Sequence, residues 1–229
     1  MIDQNKPIYS LISDVGATNS RIQLITYQKD SKRPTQIKST FYLVKDFPTF
    51  ADCLRDFLKE FENTDKYPQN AVLAMAGAPY KNKLSMVNCH WPEIDGNALG
   101  KEFNIHPFTF INDFEAVGWS FFRLSQDNLI TLHNTEKIEG KPIAIAGTGS
   151  GLGWCVLNPV KGEDGKYKYH ICPSEGSNRD FPAIEEIDWE YLQFCLKEVP
   201  EIKEIGRLSS ETSFGGLGIQ NIYNFFCKK

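Results

Sequence analysis

Two glycine-rich turns, each set between apolar β-type runs, constrain this chain more than any other feature. The first reads Asp14-Val15-Gly16-Ala17-Thr18-Asn19-Ser20-Arg21, and the second Gly147-Thr148-Gly149-Ser150-Gly151-Leu152-Gly153. Residues 8–13 and 22–27 flank the first; residues 142–146 and 154–157 flank the second. An apolar run, a bare turn and a second apolar run predict a β-hairpin whose tip is stripped of side chains. Such a tip turns several backbone N–H groups toward one point, which suits a phosphate chain. Two tips of this kind have the means to hold a triphosphate.

The chain of 229 residues is long enough for one large or two modest domains. Its net charge of −4, with no Lys/Arg-rich tract, argues against an extended nucleic-acid surface. It does not argue against an anionic nucleotide held by backbone amides and a metal ion. No apolar run approaches the ~20 residues that span a bilayer, and residues 1–10 lack the apolar core of a signal peptide. Cys53, Cys89, Cys155, Cys172, Cys195 and Cys227 are scattered without a CxxC pair, which reads as reduced thiols. The expectation is a cytoplasmic protein with neither a nucleic-acid nor a membrane partner.

The periodicity is mixed α/β. Strands are predicted at residues 8–13, 21–27, 39–44, 71–76, 84–89 and 108–111. A helix is predicted over 47–63, because Phe50, Cys53, Leu54, Phe57, Leu58 and Phe61 recur at three- and four-residue steps and line one face. Further helices are predicted over 114–124, 184–197 (with Ile187, Leu192 and Cys195 facing the core) and 217–226. Residues 158–167 read as a polar turn. The seam is expected near Ile111, dividing 1–111 from 112–229.

The chemistry-bearing residues are few. There is no GxxxxGK[ST] loop, no GxGxxG opening a helix, and no metal-ligand spacing among His90, His106, His133 and His170. Asp14 closes a strand beside the first turn. It is read either as the carboxylate that holds Mg2+ through water beside a phosphate, or as a cap of the turn. Thr18 and Asn19 have hydrogen bonds to offer phosphate oxygens, and Arg21 adds charge. Asn112-Asp113 lies at the end of a strand and the start of a helix, where α/β folds place their chemistry. Asp113 is either a general base or a helix N-cap. Glu175, within Ser174-Glu175-Gly176-Ser177-Asn178, and Glu211, before Gly215-Gly216, are carboxylates of the kind that grip sugar hydroxyls; each also reads as a solvated glutamate.

The order of these pieces resembles the bacterial-type glucokinases of the hexokinase and actin-like ATPase group. DVGATNSRIQL and GTGSGLGW are similar to that family's two phosphate segments, and INDFEAVGW to its sugar-and-base segment. PSEGSNRDF, ETSFGGLGIQNIY and the stretch Asn88-Cys89-His90-Trp91 resemble further family segments. The resemblance implies a two-domain, actin-like (ribonuclease H-like) α/β architecture with mixed sheets, its second domain incomplete. It also implies ATP-dependent phosphorylation of glucose at the 6-hydroxyl. Asp113 is then the base, and Asn112, Asp113, Glu175, Asn178 and Glu211 bind sugar. Asp14, Gly16, Ala17, Thr18, Asn19, Arg21, Gly147, Thr148, Gly149, Ser150 and Gly151 hold ATP, with Mg2+ on Asp14 through water.

Three departures accompany the resemblance. Ala17 stands where the family's turn has a second glycine, so either the tip is reshaped or no left-handed residue is needed there. Asn178 stands at a histidine position, with Ser177 before it at a glycine. The chain also ends where the family's second domain continues. An apolar surface around Ile222, Phe225 and Phe226 is therefore expected to be uncovered or covered by a partner, a homodimer being one arrangement. A catalytically silent sugar- or nucleotide-binding relative, or a fragment of a glucokinase, is the alternative reading.

Overall fold

A computed structural model describes residues 7–27, 33–86, 89–134, 136, 138–149 and 151–229. The chain divides into two compact units, Met1–Ala116 and Val117–Lys229.

The first unit is built on a five-stranded sheet. Strands β1 (Ile8–Val15), β2 (Asn19–Tyr27), β3 (Thr35–Leu43), β4 (Asn70–Met75) and β7 (Phe108–Asn112) lie in the order β3-β2-β1-β4-β7. β2 is antiparallel to β1 and β3, whereas β4 and β7 run parallel to β1. The period-2 alternation sends Leu11, Val15, Ile22, Leu24, Leu73, Met75, Phe108 and Phe110 to one buried face. Helix α1 (Phe50–Leu58) belongs to the same core, with Phe50, Cys53, Leu54, Phe57 and Leu58 each at most 1% exposed. Burying each of these large side chains contributes roughly 1.5–3 kcal/mol, so the stripe stabilises the helix more than propensity does.

The expected helix 47–63 is shorter at both ends. Thr49 is extended and its hydroxyl accepts the Asp52 N–H, so the first turn starts after it. Beyond Leu58 the chain turns, and Asn63 is left-handed with φ 61°. The expected strand 84–89 shrinks to β5 (Lys83–Leu84), paired with β6 (Ile94–Asp95); residues 87 and 88, and with them Asn88, lie outside the described residues. Leu84 and Met86 are buried, so their alternation marks anchoring in the core and not a longer strand. Helix α2 (Gly96–Glu102), which the periodicity did not announce, starts from Asp95, whose carboxylate accepts the N–H groups of Asn97 and Ala98.

The division between the units falls within α3 (Asp113–Phe121). The second unit holds a three-stranded antiparallel sheet, β10-β9-β8, of β8 (Ile143–Thr148), β9 (Leu152–Lys161) and β10 (Tyr167–Ser174). Residues 158–161, expected in a turn, extend β9, because they pair with 167–170. Four helices follow: α4 (Glu186–Glu198), α5 (Pro200–Ile205), α6 (Ser210–Phe214) and α7 (Gly216–Lys228). Tyr191, Cys195, Ile202, Leu208 and Phe225 form their core, with Ile187, Leu192 and Ile222 packed around it. Of the aromatics expected to be uncovered, Phe225 is therefore buried. Phe226 is exposed, along with Leu217, Ile219 and Tyr223 of the same helix. No helix among the described residues is long and apolar enough to cross a membrane.

Candidate functional site

In the first unit, parallel pairing aligns three strand ends. Val15, Met75 and Asn112 are register partners across β1, β4 and β7. Their carboxyl ends therefore share one sheet edge, the position at which open α/β sheets bind ligands. Adjacent strands lie about 4.8 Å apart, so the chain leaving β1 and the chain leaving β7 stand about 10 Å from each other. Gly16 to Thr18 form the turn after β1, Gly77 follows β4, and Asp113 follows β7.

The first turn is held from below by backbone bonds. Gly16 N–H donates to Asn19 C=O at 2.9 Å, and Val44 N–H donates to Thr18 C=O at 3.0 Å. Ala17 has no positive φ, so the tip as folded places no left-handed residue there. Thr18 and Asn19 are exposed. Asp14 and Arg21 prove to be strand residues, paired with each other, and Arg21 pairs in turn with Phe41. All three are exposed, and the Arg21 guanidinium lies over the Phe41 ring, 4.1 Å from its centroid. A stacked guanidinium keeps its donors at the ring edge while losing rotamer freedom.

Asn112 fastens this edge. Its side-chain oxygen accepts the N–H groups of Phe114 (2.9 Å) and Glu115 (3.2 Å), and its amide donates to Gly77 C=O at 2.7 Å. Asn112 thus makes capping bonds to the helix start. Both lone pairs of its oxygen are used. The half-buried Asp113 accepts the N–H of Phe114 at 2.9 Å.

In the second unit, three features expected from the sequence meet at one end of the antiparallel sheet. The β8–β9 tip is one. The second is Glu175, which follows β10 directly, because Ser174 pairs with Trp154 near the tip. Asn178 lies on the 3-10 turn Gly176–Asn178, and its amide donates to Glu175 Oε2 at 3.3 Å. The third is Glu211 on α6. The backbone N–H groups of Ser210 and Phe181 bond the carbonyls of Arg179 and Leu208, and Arg207 pairs with Asp180 and the Asn178 carbonyl. These bonds bring the 175–181 loop beside α6. Gly149 C=O accepts the N–H of Gly216 at 2.9 Å, which ties the tip to the start of α7. Open space lies where a Cβ on Gly149 would stand. Gly147 and Thr148 end β8; Ser150 lies outside the described residues.

A cavity of about 510 Å3 opens elsewhere, beside the outer edge of β7. Asn82, Asn97, Lys101, His106 and Thr109 contribute to its lining, and none of the site residues expected from the sequence does. Sequence reasoning also missed the fastening role of Asn112 and the existence of α6. The glycine pair after Glu211 was the available signal for a helix break there.

The sequence pattern of the glucokinase family matches residues 11–229. A glucokinase of Nostoc sp. is 32% identical over 215 residues, which make up 94% of this chain and 59% of that protein. The chain thus spans about three-fifths of that relative's length. The crystal structure of a glucokinase from an Antarctic psychrotroph superposes with a TM-score of 0.71 at 25% identity, covering 97% of this chain and 64% of that one. The glucokinase of Balamuthia mandrillaris, solved in complex with glucose, shares the fold with a TM-score of 0.72 at 17% identity, over 99% of this chain and 64% of that one. Fold, ordered motifs and family pattern agree, and this chain belongs to the glucokinase family.

Proposed function

We propose that this chain carries the sugar-phosphorylating machinery of a glucokinase, transferring the γ-phosphoryl group of ATP to the 6-hydroxyl of glucose. The observation that carries the reading is the row Val15, Met75 and Asn112, which sets the Gly16 turn and Asp113 on one sheet edge. Residues 1–111 act as the small lobe and 112–229 as part of the large one. Asp113 accepts the proton of the 6-hydroxyl as that oxygen bonds to phosphorus and the bond to the ADP oxygen breaks. Glu175, Glu211 and Asn178 accept from and donate to the other hydroxyls. Asn112, whose oxygen is committed to the helix start, adds an amide N–H and holds Asp113 in place. With the N–H groups of Gly16 and Gly149 committed to Asn19 C=O and Gly151 C=O, the turn after β1 offers the N–H groups of Ala17 and Thr18 to the polyphosphate, the tip between Gly147 and Gly151 closes over it, and Arg21 adds charge. Positioning and charge neutralisation are the main demands of phosphoryl transfer, so this short roster suffices.

Among the described residues no three His, Cys, Asp or Glu side chains gather as a metal cage. A hydrated Mg2+ needs none, since nucleotide phosphates and one carboxylate reached through water hold it. Asp14, exposed and two residues before Gly16, fits that role. Mg2+ bound there supplies charge neutralisation at the phosphates.

A coupled assay of glucose-dependent ADP formation tests the reading. Asp113→Asn is expected to lower kcat by roughly 10²–10⁴-fold while glucose still binds. A wild-type chain that forms no ADP with glucose, or an Asp113→Asn variant as fast as wild type, would refute it. Glucose binding in calorimetry without turnover would leave the silent sugar-binding relative as the function.

A further inference from the structure

The two glycines of the second tip have different surroundings. An added Cβ at Gly149 meets nothing within 4 Å. At Gly151 it would stand 2.5 Å from Glu211 Oε1 and 3.2 Å from both Cδ and Cγ of the same side chain. The space at this position, filled by the glutamate, leaves no room for a side chain. The bond from Gly216 N–H to Gly149 C=O locks tip and α6–α7 segment together, so the glutamate lies against a fixed surface.

We propose that Gly151 is a positioning residue for the Glu211 carboxylate, so that the second glycine tip shapes the sugar subsite as well as facing the polyphosphate. The proposal rests on the reading of Glu211 as a sugar ligand. A methyl group at position 151 displaces a flexible carboxylate and not backbone, so the chain still folds while the carboxylate moves. A displacement of about 1 Å is enough to break a charge-assisted hydrogen bond to a hydroxyl.

Calorimetry with glucose, and separately with ATP plus Mg2+, on wild type, Gly151→Ala, Glu211→Asp, Glu211→Gln and the Gly151→Ala/Glu211→Asp double variant tests this. Gly151→Ala is expected to weaken glucose binding roughly 10- to 100-fold, and to weaken it at least about tenfold more than ATP binding. Glu211→Asp withdraws the carboxylate by one methylene, so adding it to Gly151→Ala should cost little further glucose affinity. Equal losses for glucose and ATP, no loss of glucose affinity, or losses that multiply in the double variant would each overturn the positioning role. Glucose binding by Glu211→Gln equal to wild type would instead overturn the reading of Glu211 itself, and the subsite with it.

Discussion

Replacing Asn82 should destabilise the first unit out of proportion to its place in a two-residue turn. Strand β7 is an edge strand, and the Asn82 side chain occupies its open side. The amide nitrogen donates to Phe108 C=O at 2.8 Å, and the amide oxygen accepts Phe110 N–H at 2.8 Å. One side chain thus fills the place of a neighbouring strand for two backbone groups, both part-buried. Asn82 also sits at φ 62°, which asparagine tolerates and alanine does not. Losing two such bonds costs about 1–3 kcal/mol, and alanine in the left-handed region costs about 1–2 kcal/mol more. Asn82→Ala should therefore cost about 2–5 kcal/mol. Asn82→Gly loses the same bonds without the strain but adds unfolded-state entropy, so it should be milder by about 0.5–1 kcal/mol. Urea unfolding followed by tryptophan fluorescence reads this out, since Trp91 is 5% exposed, packs beside Phe50 and is the tryptophan of this unit, whereas Trp119, Trp154 and Trp189 belong to the second. With a slope of about 1.5 kcal/mol per molar urea, a cost of about 3 kcal/mol moves the midpoint down by about 2 M. A shift below about 0.3 M would refute the edge-sealing argument. A glycine variant weaker than the alanine variant would refute the strain argument alone.

Gly218→Ala should be among the most damaging substitutions in the second unit. Its Cβ would meet Ser213 O at 2.0 Å and Thr212 O at 2.5 Å, backbone atoms that cannot swing aside. We expect a cost of at least about 3 kcal/mol, seen as a melting midpoint lower by on the order of 10 °C; an unchanged midpoint would mean that α7 shifts freely. Thiol labelling at pH 8 should separate the cysteines. Burial pushes the Cys53 thiol up to about 12 and also raises Cys155 and Cys195, so all three remain protonated and slow, while the exposed Cys227 reacts first. Rapid modification of Cys53 in the folded protein, mapped by mass spectrometry, would contradict this packing.

Local chemistry made much of this protein legible. Both hairpins, the α1 stripe, the strand ending in Asn112 and the helix after Gly215 follow from apolar period, turn residues and caps, which act over a few positions in the chain. Family motifs extended that reading to the residues proposed to carry chemistry. Where partners elsewhere in the chain decide the outcome, the pattern misled: residues 158–161 joined β9 because residues 167–170 offered a partner, and the strand expected to run on from Leu84 stopped there, with Met86 sinking into the core beyond it.

The site divides along the same line. Sequence alone determined which side chains are available and the order in which they occur: Asp14, Asp113, Glu175, Asn178, Glu211 and two bare turns. Only the tertiary structure decided that Asn112 caps the helix beside Asp113, that Asn82 seals β7, and that Glu211 lies against Gly151. Each of these depends on atoms brought within 4 Å by chain segments 26 to 60 residues apart, except the local cap. Contacts of that kind leave no period in the sequence, because only the folded sheet brings their partners together.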